Sequence, residues 1–216
     1  MLKVEKLKVG TLPPLSFEVA AGECLAVEGP SGSGKTRLLR AIADLDAADG
    51  YVYFEGAERA EMPAPQWRRR VRYVAAEPAW WSQTPRAHWR GNEAAAPRLE
   101  RLLASVGLAV SLLDRPIWDL STGERLRLGL VRALLDEPMV LLLDEPTSAL
   151  NTQATALVDE LIRFQLLAGR SALLVSHNPV EIAQLAHQRL LLGAPSTEHR
   201  AVLPDQPFLI RTGGAQ

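Results

Sequence analysis

Eight residues constrain the fold of this chain more than any others: GPSGSGKT, Gly29 to Thr36, set between the apolar run CLAV (24–27) and KTRLLRAIADL. Glycines let such a loop wrap closely, so that backbone N–H groups face phosphate oxygens, and the helix that follows adds the positive end of its dipole. In the pattern G-x-x-x-x-G-K-[ST], Lys35 supplies a point charge for β- and γ-phosphates and the Thr36 hydroxyl can ligate Mg²⁺. Gly29, Pro30, Ser31, Gly32, Ser33, Gly34, Lys35 and Thr36 are therefore the candidate nucleotide-binding residues. A Gly/Ser-rich surface turn could match the pattern by chance, but it would not need a buried strand before it and a helix after it.

A second run, MVLLLDEPTSALN, carries Val140 to Leu143 straight into two adjacent carboxylates, Asp144 and Glu145. Burying a carboxylate is costly unless it is paired, hydrogen-bonded or bound to a metal. Alone, LLLDE reads as an ordinary strand end. Beside a phosphate loop, it places Asp144 near the same Mg²⁺ and Glu145 where it can orient and deprotonate a water.

Short continuous apolar runs at 24–27, 140–143 and 172–176 suit parallel strands covered on both faces. Each precedes a turn and a helical pattern, the rhythm of an α/β domain. LKVEKLKV and LSFEV read as strands with one wet face. Helices are expected over KTRLLRAIADL, over ERLRLGLVRALL with Leu126, Leu130 and Leu134 on one stripe, and over TQATALVDELIRFQLLAG closed by Gly169. NPVEIAQLAH opens with Asn178 as cap and Pro179 at the first helical position. Segment 77–120 has no clear strand and one expected helix, PRLERLLASVGL. It reads as a small helical insertion. The tail from about Ser196 is polar and irregular.

The five tryptophans (67, 80, 81, 89 and 118) lie in that insertion or just before it, and residues 59–101 hold nine arginines against four glutamates. Trp and Arg are enriched at interface hot spots, although each tryptophan could equally be core. A formal charge of −1 argues against a surface built for nucleic acid. The single cysteine, Cys24, excludes an internal disulfide and reads as a small buried residue. No apolar stretch has the length of a membrane span, and MLKVEKLKVG is no signal peptide, so the chain is expected in the cytoplasm.

LSTGE, Leu120 to Glu124, begins a helix. Ser121 and Glu124 form an S-x-x-E capping box, a plain structural device. The same helix start can also bind a phosphate from another molecule through Ser121 and the Gly123 N–H.

Taken in order, GPSGSGKT, LSTGE, VLLLDEPTSALN and LLVSHNP resemble the Walker A loop, signature, Walker B strand and switch histidine of ABC transporter nucleotide-binding subunits, across nearly the whole chain. The resemblance implies a P-loop NTPase of the ABC ATPase type: a mainly parallel sheet with an N-terminal antiparallel β part and a short helical part. It implies one domain over 1–216, with a RecA-like/β core at about 1–76 and 134–216 and a helical subdomain at about 77–133. It assigns Glu145 and His177 to catalysis, and Thr36 and Asp144 to Mg²⁺. Ser121, Thr122, Gly123 and Glu124 become the contact to ATP held by a second copy. The function implied is an ATP-hydrolysing subunit, homodimeric with ATP, that drives an integral membrane permease from the inner face of the cell membrane. No nucleic acid is implied. A soluble ATP-dependent switch, or a slow ATP clamp without a permease, is the alternative.

Departures from the family pattern are specific. Ala76 stands where a glutamine usually touches Mg²⁺ and the attacking water, with Glu77 next door and Gln83 further along as candidate substitutes. Thr122 replaces the first signature glycine, and Asn151 replaces an aspartate. No aromatic residue precedes Phe17, so the usual adenine-stacking side chain is absent.

Overall fold

The structure is a computed structural model that describes residues 1–89 and 95–193. The tail read from Ser196 onward lies outside them. In chain order, β1 (Leu2–Lys8), β2 (Leu15–Val19) and β3 (Cys24–Glu28) precede α1 (Lys35–Ile42). Then come β4 (Asp49–Phe54), β5 (Ala57–Glu58), α2 (Ala64–Arg70) and β6 (Val71–Val74). The second half holds α3 (Ala96–Ser105), α4 (Thr122–Leu135), β7 (Val140–Asp144), α5 (Thr152–Leu167), β8 (Ser171–Val175), α6 (Pro179–Leu185) and β9 (Gln188–Leu191).

The strands form two sheets. Order β2-β1-β4-β5 makes an antiparallel sheet, and β6-β7-β8-β3-β9 makes a parallel one. Because strand side chains alternate faces, β7 divides its residues between two cores. Val140 and Leu142 pack toward the antiparallel sheet and α1, while Leu141 and Leu143 pack toward α3, α4 and α5. Both faces are dry, which is why this strand is an unbroken apolar run rather than an alternating one.

Strand β1 shows how the chain corrects its own pattern. Leu2 and Val4 point inward, and the next inward residue is Leu7, an odd step. The register to both neighbours shifts there, and Lys6 takes φ +49°. A bulge of this kind absorbs one residue and returns Leu7 to the core.

The helix ends follow local chemistry. Asn178 Oδ1 accepts the Val180 N–H at 3.0 Å, with Pro179 at the first helical position, and Gly169 ends α5 at φ +84°. Asn151 caps α5 by accepting the Ala154 N–H at 2.9 Å, work that asparagine does as well as aspartate. Leu126, Leu130 and Leu134 are all buried on α4. Cys24 is buried, and its burial pushes the thiol up to about 12.

Between residues 77 and 120, the described residues form α3 and short 3₁₀ turns, with no strand. The tryptophans divide by role. Trp67 is fully buried and donates to the Ile42 carbonyl at 2.9 Å; Trp80 and Trp89 are partly buried against the core; Trp81 and Trp118 are exposed.

Candidate functional site

The loop 29–36 leaves β3 at the carboxyl edge of the parallel sheet. Gly29 has φ +149°, and a Cβ there would lie 2.7 Å from the Leu192 carbonyl and 2.8 Å from Ser33 Oγ. Only glycine fits so close a backbone approach. The Lys35 ammonium donates to the Gly29 carbonyl at 2.8 Å and the Pro30 carbonyl at 3.2 Å, which holds it over the loop that precedes it. The buried Ser33 hydroxyl has no partner among the described residues. It is a buried polar group that the fold leaves unsatisfied.

Strand β7 delivers Asp144 to the same place, two strands away in the sheet. Asp144 is buried, and one of its oxygens accepts the Tyr73 hydroxyl at 2.8 Å. Burial first, and then that hydrogen bond, push the Tyr73 phenol well above its ordinary value, so it stays a donor. Sequence reading did not single out Tyr73. The signal was three-dimensional: β6 pairs with β7, with Tyr73 opposite Leu142.

Glu145 follows with φ +53°, a left-handed conformation that costs a non-glycine residue about 1–3 kcal/mol. The turn is held by its own N–H, which donates to the Val175 carbonyl at 2.9 Å. It brings the carboxylate to 3.3 Å from His177 Nε2. Desolvation raises the Glu145 pKa, and the proximity of His177 opposes that rise. A carboxylate with a raised pKa is a stronger base than an exposed one.

A cavity of about 330 Å³ joins these parts. Ser31 to Thr36, Asp144, Glu145 and His177 line it, together with Arg37 and Val175. Among the described residues no three His, Cys, Asp or Glu side chains gather as a metal cage. One carboxylate and one hydroxyl beside a phosphate loop is the sparse donor set that suits Mg²⁺, which keeps waters and phosphate oxygens as its other ligands.

The signature residues lie elsewhere. Ser121, Thr122, Gly123 and Glu124 are not among the residues lining this cavity. The capping box is formed as expected: Glu124 accepts the Ser121 N–H at 2.8 Å, and Ser121 Oγ accepts the Glu124 N–H at 3.2 Å. That backbone hydrogen bond is the main reason the Glu124 pKa is lowered. A Cβ on Gly123 would meet the Ala149 carbonyl at 3.2 Å, so the start of α4 sits tight against the loop that follows Glu145.

Glu77 is also outside the cavity. It is exposed and lines a groove of about 740 Å³ with Tyr73, Arg72, Trp81, Trp89 and Arg132. Arg132 lies over the rings of Trp80 and Trp81, at 4.4 and 5.0 Å from their centres.

Comparison with known proteins bears on family and fold. The profile of the ABC transporter family matches residues 12–148. Protein STAR1 of Oryza sativa is 34% identical over 83% of this chain and 54% of its own length. The Fe(3+) ions import ATP-binding protein FbpC of Mesorhizobium japonicum is 35% identical over 83% of this chain and 53% of its own. The chain thus spans about half the length of these two relatives. The cytochrome c biogenesis ATP-binding export protein CcmA of Methylococcus capsulatus is 35% identical over 78% of this chain and 84% of its own. Among solved structures, an ATP-binding subunit of an ABC transporter superposes with TM-score 0.80 at 26% identity, covering 89% of this chain and 85% of that one. The ATP-binding cassette MJ0796, in a dimeric state with ADP and Pi, shares the fold with TM-score 0.76 at 23% identity, over 89% and 94% of the two chains. With its two-sheet architecture, its phosphate loop and this match over most of its length, the chain belongs to the ABC transporter family of ATP-binding subunits.

Proposed function

We propose that the chain binds and hydrolyses ATP and, through ATP-driven pairing of two copies, powers a separate membrane permease. The observation that carries this reading is a half-built site. Phosphate loop, Asp144, Glu145 and His177 converge on one cavity, while Ser121 to Glu124 stand away from it. A second copy can bring its own Ser121 and Gly123 N–H to the open side of a bound nucleotide.

Within one half-site, the N–H groups of residues 29–36 and the Lys35 ammonium bind the phosphates. Thr36 and Asp144 would hold Mg²⁺, whose charge would neutralise that of the β- and γ-phosphate oxygens. Glu145 positions a water for the γ-phosphate and accepts its proton. His177, 3.3 Å from Glu145, restrains that carboxylate and faces the same phosphate. The chain is proposed to act as one cassette, with its helical part at about 77–133 presenting the groove beside Trp81, Trp89 and Arg132 to the permease's cytoplasmic segments. This would place it at the inner face of the membrane. Relatives are named both for import of Fe(3+) ions and for export in cytochrome c biogenesis, and the part they share is the ATP-binding subunit.

Glu145→Gln tests the reading. It should retain ATP binding, lower hydrolysis by ~10²–10⁴-fold, and trap an ATP-dependent dimer detectable by light scattering. Unchanged turnover would show that another group activates the water, and a monomer under these conditions would remove the proposed second half-site.

A further inference from the structure

Beneath the loop that follows Glu145 lie two acidic residues that the chemistry above does not use. Asp159, in the middle of α5, and Glu181, in the first turn of α6, are both buried, at 5% and 0% exposure. The Glu181 carboxyl lies close enough to Asp159 to push its acid upward, after burial, through charge and side-chain hydrogen bonding. Thr147 Oγ1 donates to Glu181 Oε1 at 3.0 Å. Asp159 Oδ1 and Glu181 Oε2 are buried without a donor among the described residues. Two ionised carboxylates in contact would repel, with two oxygens left unpaired out of water. One added proton turns one acid into a donor and removes the repulsion.

We propose that Asp159 and Glu181 share one proton and act as positioning residues, fixing the segment that carries Glu145 and residues 146–151 against the helix that follows His177. Thr147 is the link. Its side chain ties that segment to Glu181, and its carbonyl accepts the Leu150 N–H at 3.0 Å. Glu181 is four residues beyond His177 in the chain, and its charge acts on Glu145. The catalytic part of the proposal rests on the ATPase reading above.

Other charges around the pair act as follows. Burial is the main cause raising Asp159 from 3.8 to about 7, the Glu181 carboxyl adds to it, and Arg163 on α5 opposes it. Glu181 also faces Glu145 at the end of β7 and the Cys24 thiol on β3. His187, just before β9, accepts the Cys24 N–H through Nδ1 at 3.2 Å. An acid whose folded-state pKa lies above its ordinary value keeps its proton in the fold after the unfolded chain has lost it. Its contribution is complete below pH 3.8 and drains away as pH rises through about 7. Alkaline conditions should therefore loosen residues 146–151, and Asp159→Asn, whose amide donates whatever the pH, should not respond.

The test uses the full chain as wild type, Asp159→Asn and Glu181→Gln. The wild type should show the infrared carbonyl band of a protonated carboxylic acid near neutral pH, and either substitution should remove it. Between about pH 6 and about pH 9, amide exchange at residues 147–151 should quicken about tenfold more in the wild type than in Asp159→Asn. Over the same range kcat for ATP should fall in the wild type alone, with KM steady. Absence of the band, or exchange profiles that run parallel in wild type and Asp159→Asn, overturns the proposal. If one variant does not fold, the other gives the same comparison. A wild type that hydrolyses no ATP sinks the ATPase reading alone, since band and exchange still decide the carboxyl pair.

Discussion

Two loops leave parallel strands of the same sheet and are built in opposite ways. The loop after β3, residues 29–36, is short and glycine-rich, and its main internal ties run from Lys35 to the carbonyls of Gly29 and Pro30. The loop after β6, residues 75–89, contains no glycine, and it is held from outside. Arg132 on α4 donates to the Ala79 carbonyl at 2.9 Å and lies over Trp80 and Trp81. His88 meets both rings edge-on. Gly129 admits Pro78 so closely that a Cβ would lie 2.4 Å from its Cγ. The first loop is held by its own atoms; the second takes the shape that a neighbouring helix gives it. A site for one invariant chemical group suits the first construction, and a surface matched to a particular partner suits the second.

Breaking the self-contained loop should cost the most. Lys35→Ala removes its charge and should lower ATP turnover by about 10²–10³-fold, while the thermal midpoint moves by less than about 4 °C. A large drop in the midpoint would mean that the lysine holds the fold as much as the phosphates.

Tyr73, on β6, joins the groove to the cavity: its ring lines the groove and its hydroxyl donates to Asp144. Removing that hydroxyl in Tyr73→Phe keeps the ring and frees one carboxylate oxygen. Partners that orient a metal ligand typically matter by 10–100-fold, so a rise of about tenfold in the Mg²⁺ concentration for half-maximal activity is expected. Manganese binding followed by electron paramagnetic resonance gives a readout independent of turnover. No change in either would show that the groove and the cavity are independent at Tyr73.

Arg132→Ala should affect the cavity least. Stability should fall by about 1–2 kcal/mol in urea unfolding, from the lost stacking and the lost hydrogen bond. The Kd for ATP should stay within about twofold, because neither Arg132 nor its partners line the cavity. A larger change in Kd would show that the groove and the nucleotide site are coupled by more than Tyr73.

The departures from the family pattern take on physical meaning once placed. Asn151 does the capping that aspartate would do. Ala76 sits in the loop after β6, and its neighbour Glu77 turns to the groove instead of the cavity. This leaves Tyr73, three residues earlier, as the side chain of that segment that reaches Asp144.

What the residues determine by themselves is whatever closes within a few positions along the chain. Ser121 and Glu124 cap each other across three residues, Asn178 caps its own helix, and Lys35 folds onto carbonyls five and six residues back. The apolar runs of β3, β7 and β8 declare themselves because both of their faces are buried. Tertiary structure decided the rest. Strands β4, β6 and β9 and helix α2 take their places by pairing with, or packing against, segments far along the chain, and the sheet order follows no local rule. Tyr73 reaches Asp144 across 71 residues, and Thr147 reaches Glu181 across 34. A capping motif costs little chain entropy to form, so its residues are enough to specify it. A hydrogen bond across many tens of residues forms only after the sheet has brought its partners together, so no short stretch of sequence can announce it.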